Sequence, residues 1–305
     1  MKVMYGFGRV KLKRSCIAIG IFDGVHRGHQ MLLSAMVKEA RRLKAVPVVI
    51  TFFPHPAHVL SSSKIGYLVS LRHRFKLLEA MGVKVCIVIR FTPVFAAIEP
   101  ETFIRQDLVG RLGAKAIFVG QDFRFGKDRR GDVALFELLG RVCGYSTYGV
   151  APLKSGNAPI SSTRLRVLIT AGKLSAARGL LDRPFSILAD VVKGSGRGRV
   201  LGYPTANLKL ESDILPPNGV YAVRVGIKGK TFKGVANLGL RPTFKEKTPA
   251  LCLEAHIFNF NKNLYGQTLE VHFIRRIRAE RAFKTPQDLV HQIQIDTRKA
   301  RQILK

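Results

Sequence analysis

Residues 17–29 read Ile-Ala-Ile-Gly-Ile-Phe-Asp-Gly-Val-His-Arg-Gly-His. An apolar, strand-like run ends in a glycine turn, and the polar residues that follow open a helical pattern. A helix start presents unpaired backbone N–H groups and a positive dipole end, so this segment can hold an anion. His26 and His29 are three apart and face the same way if both lie on the first turn. Gly28 between them lets a bulky ligand approach the backbone. Imidazole donors at that place could stabilise charge building on phosphate oxygens during substitution at phosphorus. Two other readings compete. His55 and His58 repeat the spacing of His26 and His29, and four imidazoles could ligate zinc, although no carboxylate or thiolate joins them in an obvious ligand pattern. The pair could also be purely structural.

A second stretch, residues 194–207, combines Gly194, Gly196, Gly198 and Gly202 with Arg197 and Arg199, and closes on Pro204-Thr205-Ala206-Asn207. Glycines permit backbone approach to phosphates, arginines supply charge, and the oxygens of Thr205 and Asn207 can ligate Mg²⁺. Taken alone, the same run is also a flexible turn.

These groups need a scaffold, and the chain is long enough to build two domains. In residues 1–183, short apolar runs at 15–21, 46–53, 83–91 and 116–120 alternate with helix-spaced segments at 30–43, 71–81 and 100–112. That rhythm predicts a parallel sheet wrapped by helices, whose ligands gather beyond the carboxyl ends of the strands. After Leu181-Asp182-Arg183-Pro184 the pattern changes to β-type runs at 185–192, 220–227, 233–238, 251–258 and 268–277, punctuated by Gly, Pro and Asn. Closely spaced short strands predict an antiparallel barrel or sandwich, followed by a helix from about Pro286. The boundary is expected near residue 183.

Composition narrows the class. Apolar residues make up 47% and charged residues 23% of the 305, the balance of a globular protein. No apolar run reaches the roughly 20 residues of a membrane span, and the basic N-terminus lacks the features of a signal peptide, so the expected location is the cytoplasm. Cys16, Cys86, Cys143 and Cys252 stand far apart, without metal-ligand or redox spacing, and are expected to be reduced thiols. The formal charge of +31 raises the question of nucleic acid. Both halves are basic, at +19 and +12, without a polybasic tail. Anionic phosphate substrates would suit the same charge, and no specific nucleic acid, membrane or protein partner is expected.

The motif His26-Arg27-Gly28-His29 resembles the nucleotidyltransferase superfamily signature. Gly120-Gln121-Asp122-Phe123-Arg124-Phe125-Gly126, Arg130-Gly131-Asp132 and Ile160-Ser161-Ser162-Thr163-Arg164-Leu165-Arg166 resemble the FMN adenylyltransferase module of prokaryotic FAD synthetases. Downstream, Pro204-Thr205-Ala206-Asn207, Asn218-Gly219-Val220-Tyr221, Gly239-Leu240-Arg241-Pro242-Thr243-Phe244, Leu253-Glu254-Ala255-His256 and Leu264-Tyr265-Gly266 resemble riboflavin kinase. Together they follow the order of the bifunctional riboflavin kinase/FMN adenylyltransferase family over about residues 15–300. Phe53 departs from the pattern, standing where that family usually shows an acidic residue.

The resemblance implies an N-terminal Rossmann-like nucleotidyltransferase domain at 1–183 and a C-terminal β-barrel riboflavin kinase domain at 184–305. It implies a flavin-biosynthesis enzyme that phosphorylates riboflavin to FMN with ATP and adenylylates FMN to FAD with a second ATP, assisted by Mg²⁺. In the first half, His26 and His29 are the implied catalytic pair. Gly20, Phe22, Asp23, Gly28, Asp122, Arg124 and Asn157 are implied in nucleotide binding, and Ser162, Thr163 and Arg166 in meeting the ATP phosphates. Ser161–Thr163 can equally cap a helix, and a capped helix start is itself an anion site. In the second half, Gly194, Gly196, Gly198, Arg199, Gly202 and Pro204 line the phosphate loop, Thr205 and Asn207 hold Mg²⁺, and Glu254 is the general base. The alternatives are a kinase with a degenerate adenylyltransferase half, or a basic nucleic-acid-binding protein on the same scaffold.

Overall fold

The computed structural model describes the chain from Met1 to Lys305 apart from Arg9, Ser62, Ser63, Ser195, Arg197, Arg199, Val200, residues 242–249 and the side chains of Arg241 and Ala250. It divides into two compact units. The first comprises Met1–Gly66 and Arg74–Ser161, and the second comprises Tyr67–His73 and Ser162–Lys305.

The first unit is built on a six-stranded sheet of β1 (Lys2–Tyr5), β2 (Ser15–Ile19), β3 (Val46–Phe53), β4 (Val85–Arg90), β5 (Ala114–Gly120) and β6 (Ser146–Val150), in the order β1-β4-β3-β2-β5-β6. Every neighbouring pair is parallel. The inner strands are almost continuously buried, as expected of a parallel sheet covered on both faces. Their side chains join Phe103, Ile104, Leu108, Phe136 and Leu139 in one core. The edge strands β1 and β6 escape the sequence reading because each is short and half-exposed, with no apolar run to mark it.

Helix α1 (Arg27–Arg42) buries Leu32, Leu33, Met36, Val37 and Ala40, an apolar stripe at helical spacing. The short α2 (Pro56–Leu60), α3 (Leu71–Ala80) and α4 (Pro93–Ala96) follow. Next, α5 (Pro100–Thr102) runs into a wider π-type helix, Phe103–Arg111, where the sequence predicts one helix at 100–112. A further helix, α6 (Val133–Cys143), is capped by Asp132, whose Oδ1 accepts from Leu135 N–H at 2.9 Å. The strand order reverses between β2 and β5, so the crevice beyond their carboxyl ends is where this architecture takes ligands. The turn after β2 carries His26, and the turn after β5 carries Asp122 and Arg124.

In the second unit, β9 (Phe185–Val192), β10 (Ala206–Lys209), β11 (Gly219–Ile227), β12 (Lys230–Arg241), β13 (Ala250–Ile257) and β14 (Thr268–Arg278) close into a barrel ordered β10-β13-β12-β11-β14-β9. Closure removes the edges an open sheet would expose. Alternate residues, among them Ile187, Leu208, Leu253, Tyr221, Val271 and Phe273, fill the interior. The opposite face of β11 and β12 is covered by the terminal helix α9 (Pro286–Ile303), where Val220, Ala222 and Val235 meet Ala300 and Leu304.

Helices α7 (Ser162–Thr170) and α8 (Leu174–Leu181) group with the barrel rather than with the sheet, and α8 packs on β9 and β14. The segment Tyr67–His73 does so too. Arg72 pairs with Asp190 and Glu211, each at 3.0 Å, and buried His73 Nε2 lies 3.2 Å from Glu270 Oε1. Leu68 and Val69 in this segment are buried as well, and the partners of Arg72 and His73 lie far along the chain.

The terminal helix is fixed by charge as well as by apolar contact. Buried Asp296 accepts from Arg278 Nε at 2.9 Å, receives Arg278 Nη2 at 2.9 Å and accepts from Gln292 Nε2 at 2.8 Å. Asp296→Ala leaves Arg278, 20% exposed, without its counter-charge. A loss of about 3 kcal/mol is expected, the lower end for a broken buried pair, read from the urea midpoint of the variant.

Candidate active site

The first cluster grows from the turn that joins β2 to α1. Gly20 N–H bonds to Ile50 O at 3.1 Å, and the backbone then takes left-handed conformations at Phe22 (φ 52°), Gly24 (φ 78°) and Val25 (φ 42°). For an aromatic and a β-branched residue this conformation is costly, and such strain concentrates where function requires a particular backbone path. Gln30 Nε2 donates to Val25 O at 2.9 Å and holds the turn. The chain enters α1 through His26, which caps it: His26 Nδ1 accepts from His29 N–H at 3.3 Å. That acceptor role puts the proton of a neutral His26 on Nε2.

The two imidazoles stack with centroids 3.6 Å apart and planes 15° apart, and Phe22 meets the edge of His29 at 5.2 Å. A Cβ on Gly28 would lie 3.3 Å from the His26 ring, so the ring rests against the helix backbone there. The pKa of His29 lies well below the ordinary histidine value, first because it is buried, then because His26 and Arg74 stand nearby. Asp23 and Arg74 are themselves almost wholly buried, with Arg74 Nη2 3.8 Å from Asp23 Oδ1. Arg74 also reaches Thr51 Oγ1 at 3.5 Å, and Thr51 donates to Ile21 O at 3.0 Å. The sequence reading missed Arg74 and Thr51. In the run Leu71-Arg72-His73-Arg74, charge density reads as a solvated helix face, and only the tertiary fold buries one of these cations.

The other positions named from the sequence lie on separate elements. Asp122 and Arg124 follow β5, the strand beside β2. Arg124 is ion-paired with Asp132, the cap of α6, which gives it a structural partner. Asn157 sits exposed in the tight hairpin between β7 (Lys154–Ser155) and β8 (Ala158–Pro159). Ser162, Thr163 and Arg166 occupy the first turns of α7, in the second unit. His55 Nδ1 accepts from Ala57 N–H at 3.1 Å to cap α2, and His58 Nε2 accepts from Ile65 N–H at 3.0 Å. Each of that second histidine pair thus has a local structural partner. Phe53 ends β3 and is 41% exposed.

The second cluster lies on the outer surface of the barrel. In register, Asn207 on β10 stands opposite Glu254 on β13, and Glu254 stands opposite Asn237 on β12. Residues directly opposite in antiparallel strands share a face, with Cβ atoms about 4.5–5.5 Å apart. The neighbours Ala206, Leu208, Leu253, Ala255, Ala236 and Leu238 are buried in the interior, so the Asn207, Glu254 and Asn237 row points outward. Thr205 lies just before β10, two residues ahead of Asn207.

The glycine-rich loop folds onto this row. A Cβ on Gly194 would fall 2.0 Å from Asn207 Nδ2, and one on Gly198 would fall 3.0 Å from Thr205 Oγ1. Asn207 is consequently buried, at 8% exposure. Gly196 and Gly202 have positive φ and open surroundings, while Arg199 lies outside the described residues. Pro204 O receives His256 Nδ1 at 2.9 Å, which ties the loop end to β13. A small cavity of about 90 Å³ beside Thr205 is lined by Val191, Ala206, Ile257, Phe260, Lys262 and Tyr265.

Two family models match the chain: FAD synthetase over residues 9–164 and riboflavin kinase over residues 181–304. The chain belongs to the bifunctional riboflavin kinase/FMN adenylyltransferase family. Curated relatives of that name include one from Buchnera aphidicola subsp. Schizaphis graminum (strain Sg), 36% identical over 97% of this chain and 96% of the relative. The relative from Bacillus subtilis (strain 168) is 36% identical over 94% of this chain and 92% of its own length. The relative from Escherichia coli (strain K12) is 37% identical over 94% and 91% respectively. The crystal structure of a macrolide-efflux protein from Streptococcus pneumoniae shares the fold over 97% of both chains, with a TM-score of 0.83 and 30% identity. Among the described residues of the present chain, no helix is long and apolar enough to cross a membrane. Membership accounts for both halves: an α/β nucleotidyltransferase-like unit precedes a kinase-type barrel with its terminal helix.

The depressed pKa of His29 has a measurable consequence. Above about pH 6.5 the group is neutral whether the chain is folded or not, and stability is unaffected. As pH falls below that value, the unfolded chain takes up a proton that the folded chain refuses, so stability declines with acidification. His29→Gln should remove about 1.4 kcal/mol per pH unit of that decline, measured by comparing urea unfolding of variant and parent between pH 5 and 8.

Proposed function

We propose that this enzyme makes FMN from riboflavin on its barrel and FAD from FMN on its α/β unit, using one ATP at each step. The family has both activities, and the division of labour between the halves follows the two family models. The observation that carries the kinase assignment is the register that sets Glu254 beside Asn207 on the outer barrel face.

Phosphoryl transfer needs a positioned hydroxyl, neutralised phosphates and removal of one proton. Glu254 is the general base that takes the proton from the riboflavin 5′-hydroxyl as its oxygen attacks the γ-phosphorus and ADP leaves. Thr205 and Asn207 would hold a hard cation such as Mg²⁺ through their neutral oxygens. When bound there, Mg²⁺ supplies charge neutralisation to the phosphates. Gly194 and Gly198 let the loop backbone close over these ligands. The apolar wall of the cavity beside Thr205 suits a nucleotide base, with Lys262 at its rim.

In the adenylyl step an oxygen of the FMN phosphate attacks the α-phosphorus of ATP in line, and pyrophosphate leaves without a covalent enzyme intermediate. His26, with its proton on Nε2, donates to the developing charge. His29, neutral in the free protein, gains affinity for a proton when the triphosphate arrives beside it. Arg74 and Asp23 hold the turn from beneath. Asp122, Asn157, Ser162, Thr163 and Arg166 retain the nucleotide-binding roles implied by their motifs.

Incubation with riboflavin, ATP and Mg²⁺, followed by chromatography of the flavins, tests the scheme. The parent should convert riboflavin to FMN and then FAD. Glu254→Gln should lower FMN formation by about 10² to 10⁴ while still converting supplied FMN to FAD. His29→Ala should do the reverse, accumulating FMN. Loss of both activities in either variant would show that the two sites are not separable and would overturn the scheme.

A further inference from the structure

Of the two residues proposed to hold Mg²⁺, the barrel ladder places only one. Asn207 lies within β10 and is paired on both sides, with Glu254 on β13 and with Val192 on β9. Thr205 stands one residue ahead of β10, outside that ladder, and the residue before it, Pro204, has no N–H with which to extend the strand. The direction in which the Thr205 hydroxyl leaves the chain therefore needs another constraint.

That constraint is His256, two positions past Glu254 on β13 and on the same face of the strand. Its Nδ1 lies 2.9 Å from Pro204 O. A carbonyl oxygen only accepts, so Nδ1 carries a proton whether the imidazole is neutral or charged. The peptide group is planar, so the Pro204 carbonyl and the Thr205 N–H move as one body. On the other side of Thr205, Ala206 is already in register with Ala255. Thr205 is thus held between a peptide plane fixed by His256 and a strand fixed by the ladder.

The imidazole is itself braced. It meets Tyr203 edge-on at 5.5 Å and Phe258 at 5.8 Å. Phe258 is buried, its N–H bonds to Lys233 O at 2.9 Å, and the guanidinium of Arg301 on α9 covers its ring at 4.4 Å. Tyr203 in turn closes the end of the glycine-rich loop, its N–H bonding to Gly198 O at 2.7 Å.

We infer, on the reading of Thr205 as a Mg²⁺ ligand, that His256 is a positioning residue of the kinase step, whose hold on the Pro204 carbonyl aims the Thr205 hydroxyl at the metal. Proton transfer stays with Glu254. One strand, β13, then sets the base directly and the metal ligand through Pro204.

Conservative variants separate the two ring positions. His256→Asn keeps a donor at about the place of Nδ1, His256→Gln moves it out to about the place of Nε2, and His256→Ala removes it. Phosphorylation is read as FMN plus FAD formed from riboflavin at varied Mg²⁺, with FAD formation from supplied FMN as the control. His256→Ala and His256→Gln should raise the Mg²⁺ concentration for half-maximal phosphorylation by about 3- to 10-fold, the factor set by one neutral hydrogen bond. His256→Asn should recover most of that loss, and FAD formation from supplied FMN should be unchanged in all three. Thr205→Val keeps the shape of Thr205 without its hydroxyl. In that background His256→Ala should add little, because the group it aims is gone. A parent-like Mg²⁺ requirement in His256→Ala, equal losses in His256→Asn and His256→Ala, or full additivity with Thr205→Val overturns the inference. A Thr205→Val variant with the parent's Mg²⁺ requirement instead fails the metal reading itself, whatever His256→Ala shows.

Discussion

Strand register is the constraint on which the barrel site depends. Side chains alternate between the two faces of a strand, so a slip of one residue between β10 and β13 would turn Glu254 into the packed interior and Leu253 out to solvent. The interior prevents that slip. Leu208 opposite Leu253, and Ala206 opposite Ala255, are buried on the inner face and lock the pairing that sets Asn207 beside Glu254 on the outer one. The same apolar alternation on β12 fixes Asn237 in the next place of the row. Chemistry on the outside is thus positioned by packing on the inside.

Close backbone approach is the second device of that face. Gly194 lies against the amide of Asn207, and Gly239 lies under the carboxylate of Glu280. In both cases a polar side chain is seated against main chain rather than against another side chain, which fixes it with little freedom to lose. The depth of Asn207 beneath Gly194 also lowers the local dielectric, so that charges brought to that place interact more strongly than they would in water.

The α/β unit meets the same need for charge stabilisation by different means. Its strand order reverses beside the turn that carries His26 and His29, and the turn is strained at Phe22 and Val25. Two imidazoles stacked at 3.6 Å cannot both carry charge cheaply, and buried Arg74 adds a third cation nearby. Proton refusal by His29 in the free protein follows first from its burial and then from this crowding. On the proposed reading, an arriving polyphosphate would relieve that repulsion. The overall basic charge acts in the same direction, drawing anions toward the molecule at long range.

The sequence by itself determined the two-part organisation, the four inner strands of the parallel sheet, five of the six barrel strands, the helices α1, α3 and α9, and the motifs at residues 26–29 and 204–207. These features are local, because period, glycine turns and residue type are readable within a few positions. It did not reveal β1, β6 or β10, each of which is too short to leave an apolar run. Nor did it reveal the docking of Tyr67–His73, whose Arg72 and His73 partners lie more than a hundred positions away. Arg74, Asn237 and Glu280 look like ordinary polar residues along the chain. Tertiary structure alone made one a buried cation under the histidine turn and placed the other two at the end of the Glu254 row, because burial and cross-strand register are properties of distant segments brought together.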